Sequence, residues 1–125
     1  MPAAATVSER FPRAATLRRA ADFQRCYREG KRRHGALVTL HSLPNAAGMP
    51  RLGVTVSRRV GGAVVRNRLK RWTRESFRRH PRRTALPACD LVVHFKPAAG
   101  ACDHAALARE LGRLFAAAAR EEGTA

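Results

Sequence analysis

Acidic residues are scarce in this chain. Against 25 lysines and arginines stand nine aspartates and glutamates, which leaves a formal net charge of +16 and a pI of about 11.8. The nine are also scattered: Glu9, Asp22, Glu29, Glu75, Asp90, Asp103, Glu110, Glu121 and Glu122. A metal-dependent nuclease gathers carboxylates around its ions, and this sequence offers no such cluster. Cysteine is sparse too. Cys26, Cys89 and Cys102 are an odd number without a CxxC pair, which excludes a disulfide framework and suits a reducing cytosol. Cys102, Asp103 and His104 do not have a zinc spacing. No apolar run approaches the roughly 20 residues of a membrane span. The opening MPAAATVSERFPR lacks the apolar core of a signal peptide and is interrupted by Glu9. There is no Walker-type loop, and Gly61-Gly62 reads as a tight strand-to-helix turn. These absences predict a cytoplasmic protein that touches no membrane, with no catalytic residue and no metal site of its own.

What the chain does have is one domain's length and a large positive excess. Its 125 residues are 45% hydrophobic, enough for a single modest core. A charge of that size points to nucleic acid or another polyanion. Residues 1–16 read as a disordered arm, and residues 17–122 as the folded domain. A helix is expected over about 20–29, with Asp22 as cap or first-turn acid and Gly30 as terminator. Phe23, Cys26 and Tyr27 share one of its faces, a spacing that by itself reads as core. Lys31 to His34 is a basic connector or short edge strand. Ala36 to Leu43 reads as a strand, with Thr39 and His41 on one parity and Val38 and Leu40 on the other.

Leu52 to Ser57 is the clearest strand, with Leu52, Val54 and Val56 facing one way. A helix follows over about 64–80, then a loop from Pro81 to Pro87 in which Arg82 and Arg83 extend the positive zone. Asp90 to Lys96 is a strand ended by Pro97. Asp103 caps a last helix to about Glu122, whose stripe is Leu107, Leu111, Leu114, Phe115 and Ala118. The order α-β-β-β-α-β-α predicts an α+β fold, a four-stranded sheet with helices packed on it in two layers. His41 and His94 could meet on one sheet face and read as satisfied surface histidines.

The richest stretch runs from Ser57 to Arg74. It carries seven basic residues (Arg58, Arg59, Arg66, Arg68, Lys70, Arg71, Arg74) and no acid. On a helical wheel Leu69, Trp72, Thr73, Ser76 and Phe77 gather on one side, and Asn67, Lys70, Arg71, Arg74 and Arg78 on the other. The first side wants a core. The second repels itself, so the folded chain alone gains nothing from it. A polyanion would turn the repulsion into attraction and release counterions. Ordinary solvated faces mix both signs.

The segment Arg51 to Arg78, RLGVTVSRRVGGAVVRNRLKRWTRESFR, resembles the signature of the bacterial ribonuclease P protein subunit. The hallmark is Arg66-Asn67-Arg68, followed by Lys70-Arg71 and Arg74-Glu75. Asp22-Phe23 with Gly30, and Asp90 with its strand, match as well, and the likeness spans roughly residues 17–115.

The resemblance implies a two-layer α/β sandwich like ribosomal protein S5 domain 2, with a left-handed βαβ crossover against the usual rule. It implies a non-catalytic protein component of an endoribonuclease. The enzyme's RNA subunit, with Mg²⁺ bound mainly by that RNA, removes the 5′ leader of precursor tRNA. It also implies two sets of contacts. Arg59, Arg66, Asn67, Arg68, Lys70, Arg71 and Arg74 would meet the catalytic RNA. Phe23, Tyr27, Thr55, Ser57, Arg58, His94 and Lys96 would hold the leader, the aromatics by stacking on unpaired bases. Which side chains of the second strand line that cleft stays open.

The charge alone also suits a ribosomal or RNA-chaperone protein, or a major-groove DNA binder. The latter is disfavoured by the missing dimerisation stripe and second recognition-motif helix. The missing carboxylates disfavour a protein-only nuclease.

Overall fold

The computed structural model describes residues 15–80 and 88–123. Its elements are α1 (Ala20–Glu29), β1 (Lys31–His34), β2 (Val38–Pro44), β3 (Arg51–Thr55), α2 (Ala63–Arg79), β4 (Cys89–Phe95) and α3 (His104–Gly123), with a 3-10 turn at Pro97–Ala101 before α3. The order α-β-β-β-α-β-α agrees with the sequence pattern. The arm expected over 1–16 lies outside the described residues up to position 14. Its last two residues belong to the fold: Ala15 is buried, and Thr16 bridges Leu52 in parallel.

The sheet runs β1-β2-β4-β3. β1 with β2 and β2 with β4 are antiparallel, whereas β3 lies parallel to β4, as a connection through α2 requires. The registers fix two faces. Val38, Leu40, Leu52, Leu91, Val93 and Phe95 lie on one of them and form the main core with Leu69 and Phe77 of α2 and Leu107, Leu111, Leu114 and Phe115 of α3. Phe77 meets Phe115 edge to face at 5.6 Å. α1 lies on the opposite face over part of the sheet, where Leu17 and Cys26 pack on Val92 with Phe23, Tyr27 and Leu43 beside them.

Some boundaries differ from the sequence reading. β3 stops at Thr55 rather than Ser57, because the Ser57 carbonyl accepts from Val60 N–H at 3.1 Å and the chain turns. Pro97 does end β4, and its preset φ then starts the 3-10 turn. Asp22 is a first-turn acid and not the cap; Arg19 holds the cap position. Gly30 terminates α1 where space is tight: a Cβ there would lie 2.5 Å from the Cys26 carbonyl and 2.8 Å from that of Ser42.

Two buried carboxylates tie distant segments together. Asp90 accepts a two-pronged contact from Arg51, Nε to Oδ1 at 2.8 Å and Nη2 to Oδ2 at 2.9 Å, and a further bond from Asn45 Nδ2 at 2.7 Å. A buried charge so bonded is stabilising relative to losing one partner, which typically costs about 3–5 kcal/mol. Glu110 of α3 accepts backbone N–H groups from Ala36 (3.0 Å), Leu37 (2.9 Å) and Val38 (2.8 Å).

Glu110→Ala should therefore destabilise the fold by about 2–4 kcal/mol, because it leaves three N–H groups, that of Val38 buried, without their acceptor. Glu110→Gln, which keeps one acceptor, should cost less. Urea unfolding of the three proteins checks this, and equal stability of Ala and wild type would refute it.

Candidate nucleic-acid interface

α2 begins without a side-chain cap and without an acid in its first turn. Arginines at 66 and 68 sit near that positive helix end, an arrangement unfavourable to an isolated helix but well suited to phosphate. Leu69, Thr73 and Phe77 are buried, and Trp72 and Ser76 are half-buried. This is the inward side that the wheel predicts. Asn67, Arg71 and Arg74 are exposed, and Arg66, Arg68 and Lys70 are half-buried. Among the described residues the helix has one intrahelical ion pair, Arg71 Nε to Glu75 Oε1 at 3.9 Å, and Arg66, Arg68, Lys70 and Arg74 have no carboxylate partner. Arg58 and Arg59 are exposed in the turn between β3 and α2. The seven predicted bases are thus exposed or half-buried along the stretch from that turn through the helix. Arg82 and Arg83 lie outside the described residues.

The second predicted set falls on the other side of the sheet, where α1 leaves part of the surface open. Tyr27 reaches over the sheet from α1. Its hydroxyl lies 2.6 Å from Thr55 Oγ1 and 3.4 Å from His94 Nδ1, and Thr55 Oγ1 lies 2.9 Å from the same nitrogen. Its ring meets those of His41 and His94 edge to face, at 4.7 and 5.9 Å. Burial raises the pKa of the Tyr27 hydroxyl, which the bond with Thr55 partly offsets. Phe23 is half-buried and lies over Gly53, where a Cβ would come within 2.6 Å of its ring. Only glycine leaves that room. Phe23 is therefore both packed and partly open.

Three predicted members, Ser57, Arg58 and Lys96, stand apart from this group. Ser57 lies past the end of β3, beside Arg58. Lys96 donates from Nζ to the Gly35 carbonyl at 2.6 Å, which ties β4 to the β1–β2 turn.

The registers also bring in residues that the sequence reading leaves unassigned. Pairing His34 with Thr39, Thr39 with His94 and Thr55 with His94 makes one row across all four strands. Arg32 stands opposite His41 in the next row. Thr39 and His41, not Val38 and Leu40, are the second-strand residues on this side. The alternation of Ala36–Leu43 carries that parity, but only the register says which parity faces α1.

His41 is buried, and its Nδ1 has no hydrogen-bond partner. Burial first, then the neighbouring His94, Arg32 and His34, pushes its pKa down to about 4. An unfolded histidine titrates near 6.5. Between about pH 6.5 and 4 the unfolded chain therefore binds the proton that the folded one refuses, and stability is lost as pH falls through that window. Relative to His41→Gln, the wild-type melting temperature should drop on acidification; a difference constant with pH would refute this.

Known proteins share this architecture. The family model for Ribonuclease P matches residues 11–119. The ribonuclease P protein component of Desulfovibrio desulfuricans is 44% identical over 115 residues, covering 88% of this chain and 87% of that protein. Among solved structures, the RNase P protein of Staphylococcus aureus superposes with a TM-score of 0.77 at 28% identity, covering 83% of this chain and 94% of that one. That of Thermotoga maritima does so with a TM-score of 0.70 at 32% identity, covering 79% and 93%. A match over nearly the whole domain, in both sequence and fold, means that this chain belongs to the ribonuclease P protein family.

Proposed function

We propose that this chain clamps two RNAs at once: the catalytic RNA of ribonuclease P along α2, and the single-stranded 5′ leader of precursor tRNA on the open sheet face beside α1. As a ribonuclease P protein it is part of a tRNA-processing ribonucleoprotein, in partnership with the ribonuclease P RNA. The observation that carries the finer reading is the basic stretch of Arg59, Arg66, Arg68, Lys70 and Arg74 without carboxylate partners among the described residues, with Asn67 and Arg71 among them. Folded RNA supplies the missing anions and gains affinity by counterion release.

The leader reading rests on different features. Tyr27 and Phe23 offer ring surface, at about 1–3 kcal/mol per stacked base. Thr55 and His94 offer hydrogen-bonding groups at the open end of the sheet, and Arg58, Ser57 and Lys96 lie at its margins. Stacking and phosphate contacts tolerate any sequence, as an enzyme serving many tRNAs requires.

On this reading the bond is broken by the RNA subunit, with Mg²⁺ held mainly by RNA. The commitments of the protein's own carboxylates support that division. Asp90 is engaged by Arg51 and Asn45, Glu110 by three backbone N–H groups, and Glu121 by Lys31 and Arg33 at 3.1 and 2.6 Å. Among the described residues no three His, Cys, Asp or Glu side chains are grouped to hold a metal. Likewise, no helix of the described residues is long and apolar enough to cross a membrane.

Reconstitution with a bacterial ribonuclease P RNA at low Mg²⁺ tests the whole reading. The protein should restore precursor cleavage that the RNA alone performs poorly under those conditions. Cleavage by the protein stripped of nucleic acid would overturn it.

Two variant experiments test the two faces. Arg66→Ala or Arg71→Ala should weaken assembly with the RNA and flatten the log–log salt dependence by about 0.7–0.9 per lost phosphate contact. Because Phe23 also fills space over Gly53, Phe23→Leu separates stacking from packing. It should weaken binding of leader-bearing precursor more than of mature tRNA, and an equal loss on both would make Phe23 a packing residue only.

A further inference from the structure

The wheel treats Trp72 as one more core residue, yet it is only half-buried, and what lies against it is not only core. The Arg68 guanidinium carbon stands 5.1 Å from the centre of its ring, within the range of a cation–π contact. The two residues are one helical turn apart, so the contact is local to α2. The His104 ring lies 5.0 Å away, tilted at 51°. His104 opens α3, whose start is fixed by Asp103: its Oδ1 accepts from Ala106 N–H at 2.7 Å. A continuous line of contact therefore runs from the capped end of α3 through His104 and Trp72 to Arg68.

Arg68 needs such support. Among the described residues it has no carboxylate partner, and its Nε is shielded from water with no hydrogen-bond partner. The indole ring lies against the guanidinium. An arginine held in place before binding loses less side-chain freedom when it meets phosphate. Any apolar side chain would complete the inward stripe of α2, but only an aromatic one also grips Arg68.

We propose that Trp72 is a positioning residue for RNA recognition: with His104 beside it, its ring preorganises Arg68 to meet phosphate of the catalytic RNA. The inference rests on the reading of Arg68 as an RNA contact, and its test separates the two.

Affinity for a bacterial ribonuclease P RNA is measured across a salt series for wild type, Trp72→Leu, Trp72→Phe, Arg68→Gln and the Trp72→Leu/Arg68→Gln double variant, with thermal unfolding of each. Trp72→Leu should weaken binding by roughly two- to fivefold. It should flatten the salt slope in the direction that Arg68→Gln does, and cost nothing further once Arg68 is glutamine. Trp72→Phe should recover most of the affinity. If leucine melts below the assay temperature, Trp72→Met replaces it, filling the space without a π face. Unchanged affinity in Trp72→Leu overturns the inference. So does the same loss in both Arg68 backgrounds with no rescue by Phe, which would make the ring packing alone. If Arg68→Gln leaves affinity and slope untouched while wild type binds, the reading of Arg68 falls and the inference falls with it.

Discussion

The turn between β1 and β2 carries three consecutive backbone N–H groups, at Ala36, Leu37 and Val38, that are satisfied by one side chain, Glu110 of α3. Donors shielded from water and left without an acceptor are costly, so this carboxylate helps to hold the hairpin against α3. The hairpin in turn supplies half the strands of the sheet, including His34, Thr39 and His41 on the side beneath α1. Lys96 reinforces the same turn from β4 by bonding the Gly35 carbonyl. The surface read as a leader cleft and the helix read as an RNA face are thus held on opposite sides of one sheet by a contact that belongs to neither.

A chain with few acids has to place them with care. Asp90 and Glu110 are buried, where each joins segments far apart in sequence. Glu121 ties α3 to β1 through Lys31 and Arg33. Asp90 and Glu121 cancel charge inside the fold and along the β1 edge of the sheet, and Glu110 is taken up by backbone N–H groups. Little is left to neutralise Arg66, Arg68, Lys70 and Arg74 of α2, and Glu75 reaches only Arg71 among the ion pairs of the described residues. The positive excess of that surface follows from where the acids are spent, as well as from how many arginines there are.

The sequence shows these features unevenly. α2 is plain because periodicity and charge change sides together: Leu69, Thr73 and Phe77 inward, Arg71 and Arg74 outward. The stripe of α3 is equally plain, and all five of its predicted residues are buried. β1 is ambiguous because Lys-Arg-Arg-His has no apolar alternation, and its strand geometry comes from pairing with Thr39 to Ser42. Glu110 cannot be recognised at all: on the sequence it is one acid on a helix, and only folding brings it to a turn 74 residues earlier. Phe23 shows why spacing alone gives a single answer where the molecule has two. Its ring packs on Gly53 and is still partly open. The grip of Trp72 on Arg68 stays hidden for the same reason, since an indole suits a core stripe and a cation equally well.

The two margins of the sheet are closed by different means. β3 is covered along its outer side by Thr16 and Leu17, whose N–H bonds the Leu52 carbonyl. β1 is four residues long and bears Lys31, Arg32 and Arg33. A short, highly charged border strand repels a second copy of itself, and a partly covered one has less open ladder to offer. Two copies of this protein therefore have no easy route to joining sheets edge to edge, even though β2, β3 and β4 carry an apolar core face in each.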